Sequence, residues 1–183
     1  MASPYRLVTV DEPYAGPVTS LGKKLACVVS GGQTGVDRAA LDTAIAQRIP
    51  YRGWCPRDGW AEDEPAAPGL LARYPELHET PSADPGQRTR WNTRDADATL
   101  ILRPAGVYSP GTDLAGRCAT LIGRPLAAAD PNAHDADATI RHFVAGLPNR
   151  PSLHIAGPRE SESPGVYAAT RELLARVFAD RIG

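Results

Sequence analysis

The chain has 183 residues, 42% hydrophobic and 22% charged, with 20 Lys and Arg against 21 Asp and Glu for a formal charge of −1. That size and balance suit one globular domain with a sizeable core. No run of about 18 apolar residues occurs, which excludes a membrane-spanning helix, and the near-zero charge argues against nonspecific nucleic-acid binding.

Residues 1–24 carry Pro4, Pro13, Gly16 and Pro17 without sustained periodicity and read as an extension with at most one short strand. Met1-Ala2-Ser3-Pro4-Tyr5-Arg6 is not a basic segment followed by an apolar run, so no secretion signal is expected. The domain proper is placed at residues 25–183. Leu25-Ala26-Cys27-Val28-Val29 is a short apolar run of the kind buried on both faces of a sheet, and residues 36–48, rich in alanine, read as a helix. Tyr51-Arg52-Gly53-Trp54 predicts a second strand. The proline-rich stretch 55–85 predicts loops, with a helical turn near Leu70 and a strand at Leu77-His78-Glu79.

The alternation then resumes. Residues 86–95 predict a helix, 98–103 a strand, 109–122 a helix, 125–129 a strand, 135–147 a helix and 152–156 the last strand. In the final helix Val166, Thr170, Leu173, Leu174, Val177 and Phe178 form one stripe at helical spacing. Strands alternating with helices imply right-handed crossovers and a parallel sheet with helices on both faces, a Rossmann-like α/β fold.

Loops leaving the carboxyl ends of parallel strands share the edge where ligands bind. Three of them have anion-binding composition. In the first, Gly31, Gly32, Gln33, Thr34 and Gly35 turn from strand to helix, where missing Cβ atoms let a phosphate approach backbone N–H groups. Thr34-Gly35-Val36-Asp37 also fits a capping box, so the same residues serve equally as a tight turn with Asp37 as a cap. In the second, Ser109-Pro110-Gly111-Thr112, the hydroxyl and proline suit a helix start, and Gly111 and Thr112 suit a phosphate. In the third, Gly157 and Arg159 follow the last strand; Arg159 offers a bidentate fork to a phosphate or carboxylate, while Ser163 and Pro164 suit the next helix start.

The middle segment adds side chains. Arg57 leaves the second strand, and Glu62 and Asp63 lie in an acidic run suited to ribose hydroxyls, a cation or acid–base chemistry, against the alternative of a solvated loop. Arg88, Trp91 and Asn92 form an Arg–aromatic–amide group that suits either a planar ring or the core. Cys27, Cys55 and Cys118 are odd in number and widely spaced, which fits a reducing cytoplasm and buried thiols. The histidines at 78, 134, 142 and 154 lack zinc-ligand spacing, so no metal site is expected.

The run Val29-Ser30-Gly31-Gly32-Gln33-Thr34-Gly35-Val36-Asp37-Arg38-Ala39-Ala40-Leu41-Asp42 resembles the opening of the molybdenum cofactor carrier family, a circularly permuted branch of the SLOG superfamily of Rossmann-like nucleotide-ligand proteins. The likeness continues through Gly53-Trp54-Cys55-Pro56, Ala61-Glu62-Asp63, Tyr74-Pro75, Arg88-Thr89, Trp91-Asn92, Asp95, Gly111-Thr112, Ala156-Gly157-Pro158-Arg159 and Pro164-Gly165-Val166-Tyr167. Three positions depart from it: Pro110 stands where the family usually has Gly, Ala115 where Thr is common, and His154 where Asn is common.

The resemblance implies a cytoplasmic homo-oligomer that binds a small phosphorylated ligand, either nucleotide-like or the pterin of the molybdenum cofactor. Two other functions stand beside carriage. One is hydrolysis of a nucleotide N-glycosidic bond, by analogy with the Lonely Guy phosphoribohydrolases, with Glu62 or Asp63 as the carboxylate. The other is a regulatory or structural oligomer with a vestigial pocket.

Overall fold

A computed structural model describes residues 24–179. The expected extension at 1–24 lies outside the described residues except for Lys24, whose ammonium donates to the carbonyls of Val144 and Ala145 at 2.9 and 2.8 Å. In chain order the elements are β1 (Cys27–Val29), α1 (Val36–Ala46), β2 (Tyr51–Cys55), α2 (Leu70–Arg73), β3 (Leu77–Glu79), α3 (Pro85–Asp95), β4 (Ala98–Leu102), α4 (Pro110–Leu121), β5 (Leu126–Ala129), α5 (Ala136–Ala145), β6 (Ser152–Ala156) and α6 (Val166–Phe178). The six strands form one all-parallel sheet in the order β3-β2-β1-β6-β4-β5. This is the Rossmann-like α/β arrangement that the alternation predicts.

The topology fixes where a ligand can be met. From β1 the chain steps outward to β2 and β3, and from β4 it steps outward the other way to β5, before β6 returns between β1 and β4. The loops after β1, β6 and β4 are therefore neighbours at the carboxyl edge, where the winding direction reverses.

The two faces of the sheet are built differently. On one, Val28, Leu100, Leu102, Leu153 and Ile155 pack against Val36, Ala40 and Ala44 of α1, Ile140 and Val144 of α5, and Leu173, Leu174, Val177 and Phe178 of α6. Burial of that apolar surface is the dominant favourable term in folding. On the other, α3 lies against the sheet through Thr89, Asn92 and Thr93, all buried, at i, i+3 and i+4. It meets His154, itself fully buried, whose Nδ1 is 3.4 Å from Thr93 Oγ1. Asp84 starts α3 by accepting from the Gly86 amide at 2.9 Å, with Pro85 in the first turn.

A smaller apolar cluster of Leu41, Cys55, Ala61, Leu70, Tyr74 and Leu77 seals the β2–β3 end and seats the 57–76 connection. Asp42 ties that connection to two helices. It accepts from Tyr74 at 2.6 Å and Tyr167 at 2.7 Å, with Arg73 at 3.3 Å. Among the described residues no helix is long and apolar enough to cross a membrane.

Candidate functional site

The loop after β1 is interlocked with its neighbours. A Cβ on Gly31 would lie 2.4 Å from Nη1 of Arg88, and one on Gly32 about 3.1 Å from the Leu70 side chain. Gly35 has φ +74°, and its Cβ would lie 2.4 Å from the Pro158 carbonyl oxygen. A Cβ on Gly157 would lie 2.2 Å from the Leu102 carbonyl oxygen and 2.5 Å from Cγ2 of Val36. At all four positions the missing side chain makes room for protein. Gly111, at the start of α4, has nothing within 4 Å of that position.

The capping expectations are corrected here. Gly35 is the cap residue of α1 and no side chain caps that helix. Asp37 instead lies buried, accepting from the backbone N–H groups of Gly31 and Gly157 and pairing with Arg88 at 2.7 Å. Burial pushes its carboxyl above the ordinary value against the pull of that guanidinium and those amides. Ser109 precedes α4 but its hydroxyl makes no capping bond. Ser163 and Pro164 lie ahead of α6, which starts at Val166 after Gly165, and the Glu160 carboxylate accepts from the Gly165 and Tyr167 amides. At Thr34 and Ser109 a tertiary carboxylate takes the hydroxyl in place of the local bond, and at α6 a different local residue, Glu160, does the capping.

The freed hydroxyls meet in one polar cluster. Thr34 Oγ1 donates to Glu62 Oε1 and accepts from the Glu160 amide at 3.2 Å. Ser161 Oγ donates to Glu62 Oε2 at 2.6 Å, and Nη1 of Arg159 stands 3.8 Å from that oxygen. Nε of Arg159 lies 3.6 Å from Oε1 of Glu162. Glu162 Oε2 accepts from Ser109 Oγ at 2.8 Å and from the Arg159 amide at 3.2 Å, and Ser109 Oγ is 2.7 Å from Thr112 Oγ1. Loops after β1, β4 and β6 are thus joined through two carboxylates and one guanidinium.

Glu62 reaches this cluster because its turn is anchored. Ala61 and Glu64 form an isolated antiparallel bridge, and Arg38, itself buried, grips Asp63 with two bonds of 2.9 Å while its Nε donates to the Gly32 carbonyl at 2.9 Å. The Gln33 side-chain oxygen accepts from the Thr34 and Glu62 amides at 2.9 and 3.1 Å. Partial burial works to raise the Glu62 pKa, but the Ser161 and Thr34 hydroxyls, the Ser161 amide and Arg159 outweigh it and hold the carboxyl below its usual range. Asp63 is held low chiefly by its bonds from Arg38.

Of the residues singled out in the sequence, the fold brings Gln33, Thr34, Glu62, Thr112 and Arg159 into this cluster, with Gly31, Gly32, Gly35 and Gly157 forming its interlocked floor and Gly111 at its open side. Asp63 is turned toward Arg38. Arg57 is exposed, and its ion-pair partner is Asp58 at 3.8 Å. Cys55 is buried and burial pushes its thiol up to about 11, the behaviour of a core thiol.

The Trp91–Asn92 pair is used structurally. Asn92 accepts from the Trp54 amide at 2.7 Å and donates to its carbonyl at 2.9 Å, and Trp91 meets the Trp54 ring edge-on at 4.7 Å. Sequence reading missed Glu162 and Ser161, because a run of Ser and Glu reads as solvated loop. The one available signal was that both follow Arg159 within three residues. Among the described residues, no group of three or more His, Cys, Asp and Glu side chains is arranged to hold a metal ion.

Residues 28–178 match the circularly permutated YpsA SLOG family. The crystal structure at 1.45 Å of a "putative molybdenum carrier protein" from Syntrophus aciditrophicus SB superposes with a TM-score of 0.77 at 36% identity, covering 85% of this chain and 96% of that one. No curated protein matches the sequence.

Proposed function

Because the chain belongs to the circularly permutated YpsA SLOG family, we propose that it binds and carries a small phosphorylated ligand, a nucleotide or the phosphorylated pterin of the molybdenum cofactor, at the carboxyl edge of its sheet. The observation that carries this reading is the convergence of the loops after β1, β4 and β6 on Arg159 and the two carboxylates it faces, Glu62 and Glu162, to which the hydroxyls of Thr34, Ser161 and Ser109 are bonded, with Thr112 beside Ser109. A guanidinium with serine and threonine hydroxyls bonded to its carboxylate partners is a donor set that suits a phosphate, and the space beside Gly111 leaves room for one. The similarity to a protein named as a molybdenum carrier agrees with a pterin as cargo. The molybdenum centre is cargo in this reading; the side chains described here meet the phosphate. A cytoplasmic homo-oligomer is part of the same proposal.

Native mass spectrometry of the protein as purified, followed by a thermal-shift panel of nucleoside monophosphates, pterin phosphates and molybdate, tests it. A phosphorylated member raises Tm by several degrees, and Arg159→Ala removes the shift. No co-purified mass and no shift across the panel would sink it. The same spectra report the subunit number.

One observation favours a second reading, cleavage of a nucleotide N-glycosidic bond. Glu62 is a carboxylate whose ionised form is favoured within the edge cluster, the state needed to stabilise an oxocarbenium-like centre. Free base released from nucleoside monophosphates in the same incubations distinguishes cleavage from carriage.

A further inference from the structure

Each of the three edge loops already holds an anion, and each anion belongs to the chain. Asp37 fills the β1 loop, accepting from the Gly31 and Gly157 amides and pairing with Arg88. Glu160 fills the amino end of α6 through the Gly165 and Tyr167 amides. Glu162 reaches from the β6 loop across to the β4 loop and takes Ser109 Oγ and the Arg159 amide.

The three are not equivalent. The Asp37 side chain is 3% exposed and locked by a 2.7 Å ion pair, and Glu160 caps a helix with two amides. Glu162 is the loose one. Its side chain is 23% exposed, its guanidinium contact is long at 3.6 Å, and its hydroxyl contact bridges two different loops. Gly111 faces open space in the same β4 loop.

We infer that Glu162 is a built-in competitor for the ligand: its carboxylate occupies the Ser109 and Arg159 groups that a phosphate takes, and binding proceeds by exchange of one for the other. This rests on the phosphate-binding reading above and adds its regulation. Ser109 and Thr112 are each 1–2% exposed with Glu162 in place, so a ligand reaches their hydroxyls only when that carboxylate swings out. Charge points the same way. Arg159 faces both Glu62 and Glu162, one positive group against two negative, which disfavours a phosphate dianion until one carboxylate leaves. An exchangeable internal anion makes the site selective for ligands whose anionic group outcompetes a carboxylate on a Ser–Arg pair, as a phosphate dianion does and a carboxylate monoanion does not.

The test is a titration of the full chain with inorganic phosphate at fixed pH and ionic strength, read by calorimetry and thermal shift. Glu162→Gln keeps the shape and the acceptor for Ser109 but removes the charge; it is expected to bind phosphate about tenfold more tightly than wild type. Glu162→Ala, which cannot rebuild the contact, moves in the same direction. Glu172→Gln, an exposed site on α6, binds as wild type does. Phosphate binding in Glu162→Gln and Glu162→Ala that is no tighter than in a responsive wild type overturns the inference while the phosphate-binding reading stands. If wild type, both variants and Arg159→Ala all respond to phosphate no more than to chloride of equal ionic strength, both fall together.

Discussion

Where the loops after β1 and β6 meet, the bare faces of Gly31, Gly32, Gly35 and Gly157 are pressed on protein. The positions a Cβ would take lie 2.4 Å from Pro158 O at Gly35 and 2.2 Å from Leu102 O at Gly157. Where the loop after β4 opens α4, Gly111 has open space on that side. Both regions lie on one sheet edge and look alike in sequence, as small residues and hydroxyls between a strand and a helix. The difference shows that a glycine marks a close approach without saying by what. In the β1–β6 half the approaching groups are the neighbouring loop at Gly35, strand β4 and helix α1 at Gly157, and the Arg88 and Leu70 side chains at Gly31 and Gly32, which makes that half a packed floor. In the β4 half nothing approaches Gly111, which leaves it on the side that the proposed ligand would use.

The largest effect that tests this contrast comes from filling the floor. Gly157→Ala places a methyl group against the Leu102 carbonyl oxygen and the Val36 side chain, neither of which can swing away as the end of a flexible side chain would. Overpacking against fixed neighbours costs about 3 kcal/mol or more, so the urea midpoint falls sharply or folded protein is not recovered. A Gly157→Ala protein within about 0.5 kcal/mol of wild type would break the comparison, since the interlock would then be slack.

The next effect probes what lies under that floor. His154 sits on β6, in register with Val29 of β1 and Thr99 of β4, and is fully buried. Burial, with Arg88 adding to it, lowers its pKa from 6.5 to about 3, so the folded protein keeps the imidazole neutral. The unfolded chain takes up the proton first as pH falls through 6.5, and stability drops over the window from about 6.5 toward 3. Well below 6.5 each pH unit in that window is worth about 1.4 kcal/mol, giving roughly 2 kcal/mol between pH 6.5 and 4.5. Asp37, whose carboxyl burial pushes above its ordinary value, gains stability as pH falls and so opposes the histidine, which makes the change in slope on removing His154 the quantity to read. His154→Asn, which has no proton to gain, flattens the profile over the same two units; an unchanged slope would show that the imidazole is not the buried group responsible.

How much of this could be read in advance follows from range along the chain. The apolar periods of α1 and α6 and the apolar runs of β1 and β4 are local, and among the described residues each β-strand and α-helix appears within a few residues of its pattern, while the short 3-10 turn at Arg57–Gly59 lies in the stretch expected as loop. Helix α3 was legible by its start signals but not by its buried face, because Thr89, Asn92 and Thr93 carry no apolar stripe. In the site, Arg159 and the glycine loops were legible by composition. The roles of Thr34 and Ser109 were not: each has a local capping option, and Glu62 and Glu162 lie 28 and 53 residues away. Asp63 and Glu62 are adjacent in sequence, yet Arg38 turns one aside and leaves the other in the cluster with Thr34, Ser161 and Arg159.

The smallest effect sits at the open side and has opposite signs in its two readouts. Gly111 is the second residue of α4, and an added Cβ meets nothing within 4 Å. Gly111→Ala therefore gains helix propensity with no steric cost, raising stability by about 0.5 kcal/mol, or a degree or two in Tm. The same methyl group projects into the space assigned to the ligand, so phosphate-dependent stabilisation shrinks in a protein that is more stable without phosphate. A purely structural glycine cannot produce that combination, because relief of backbone entropy alone would leave the phosphate response unchanged. If Tm rises and the response to phosphate is intact, the open side of the β4 loop is not the side the ligand uses, and the contrast between the two halves of the edge describes packing alone.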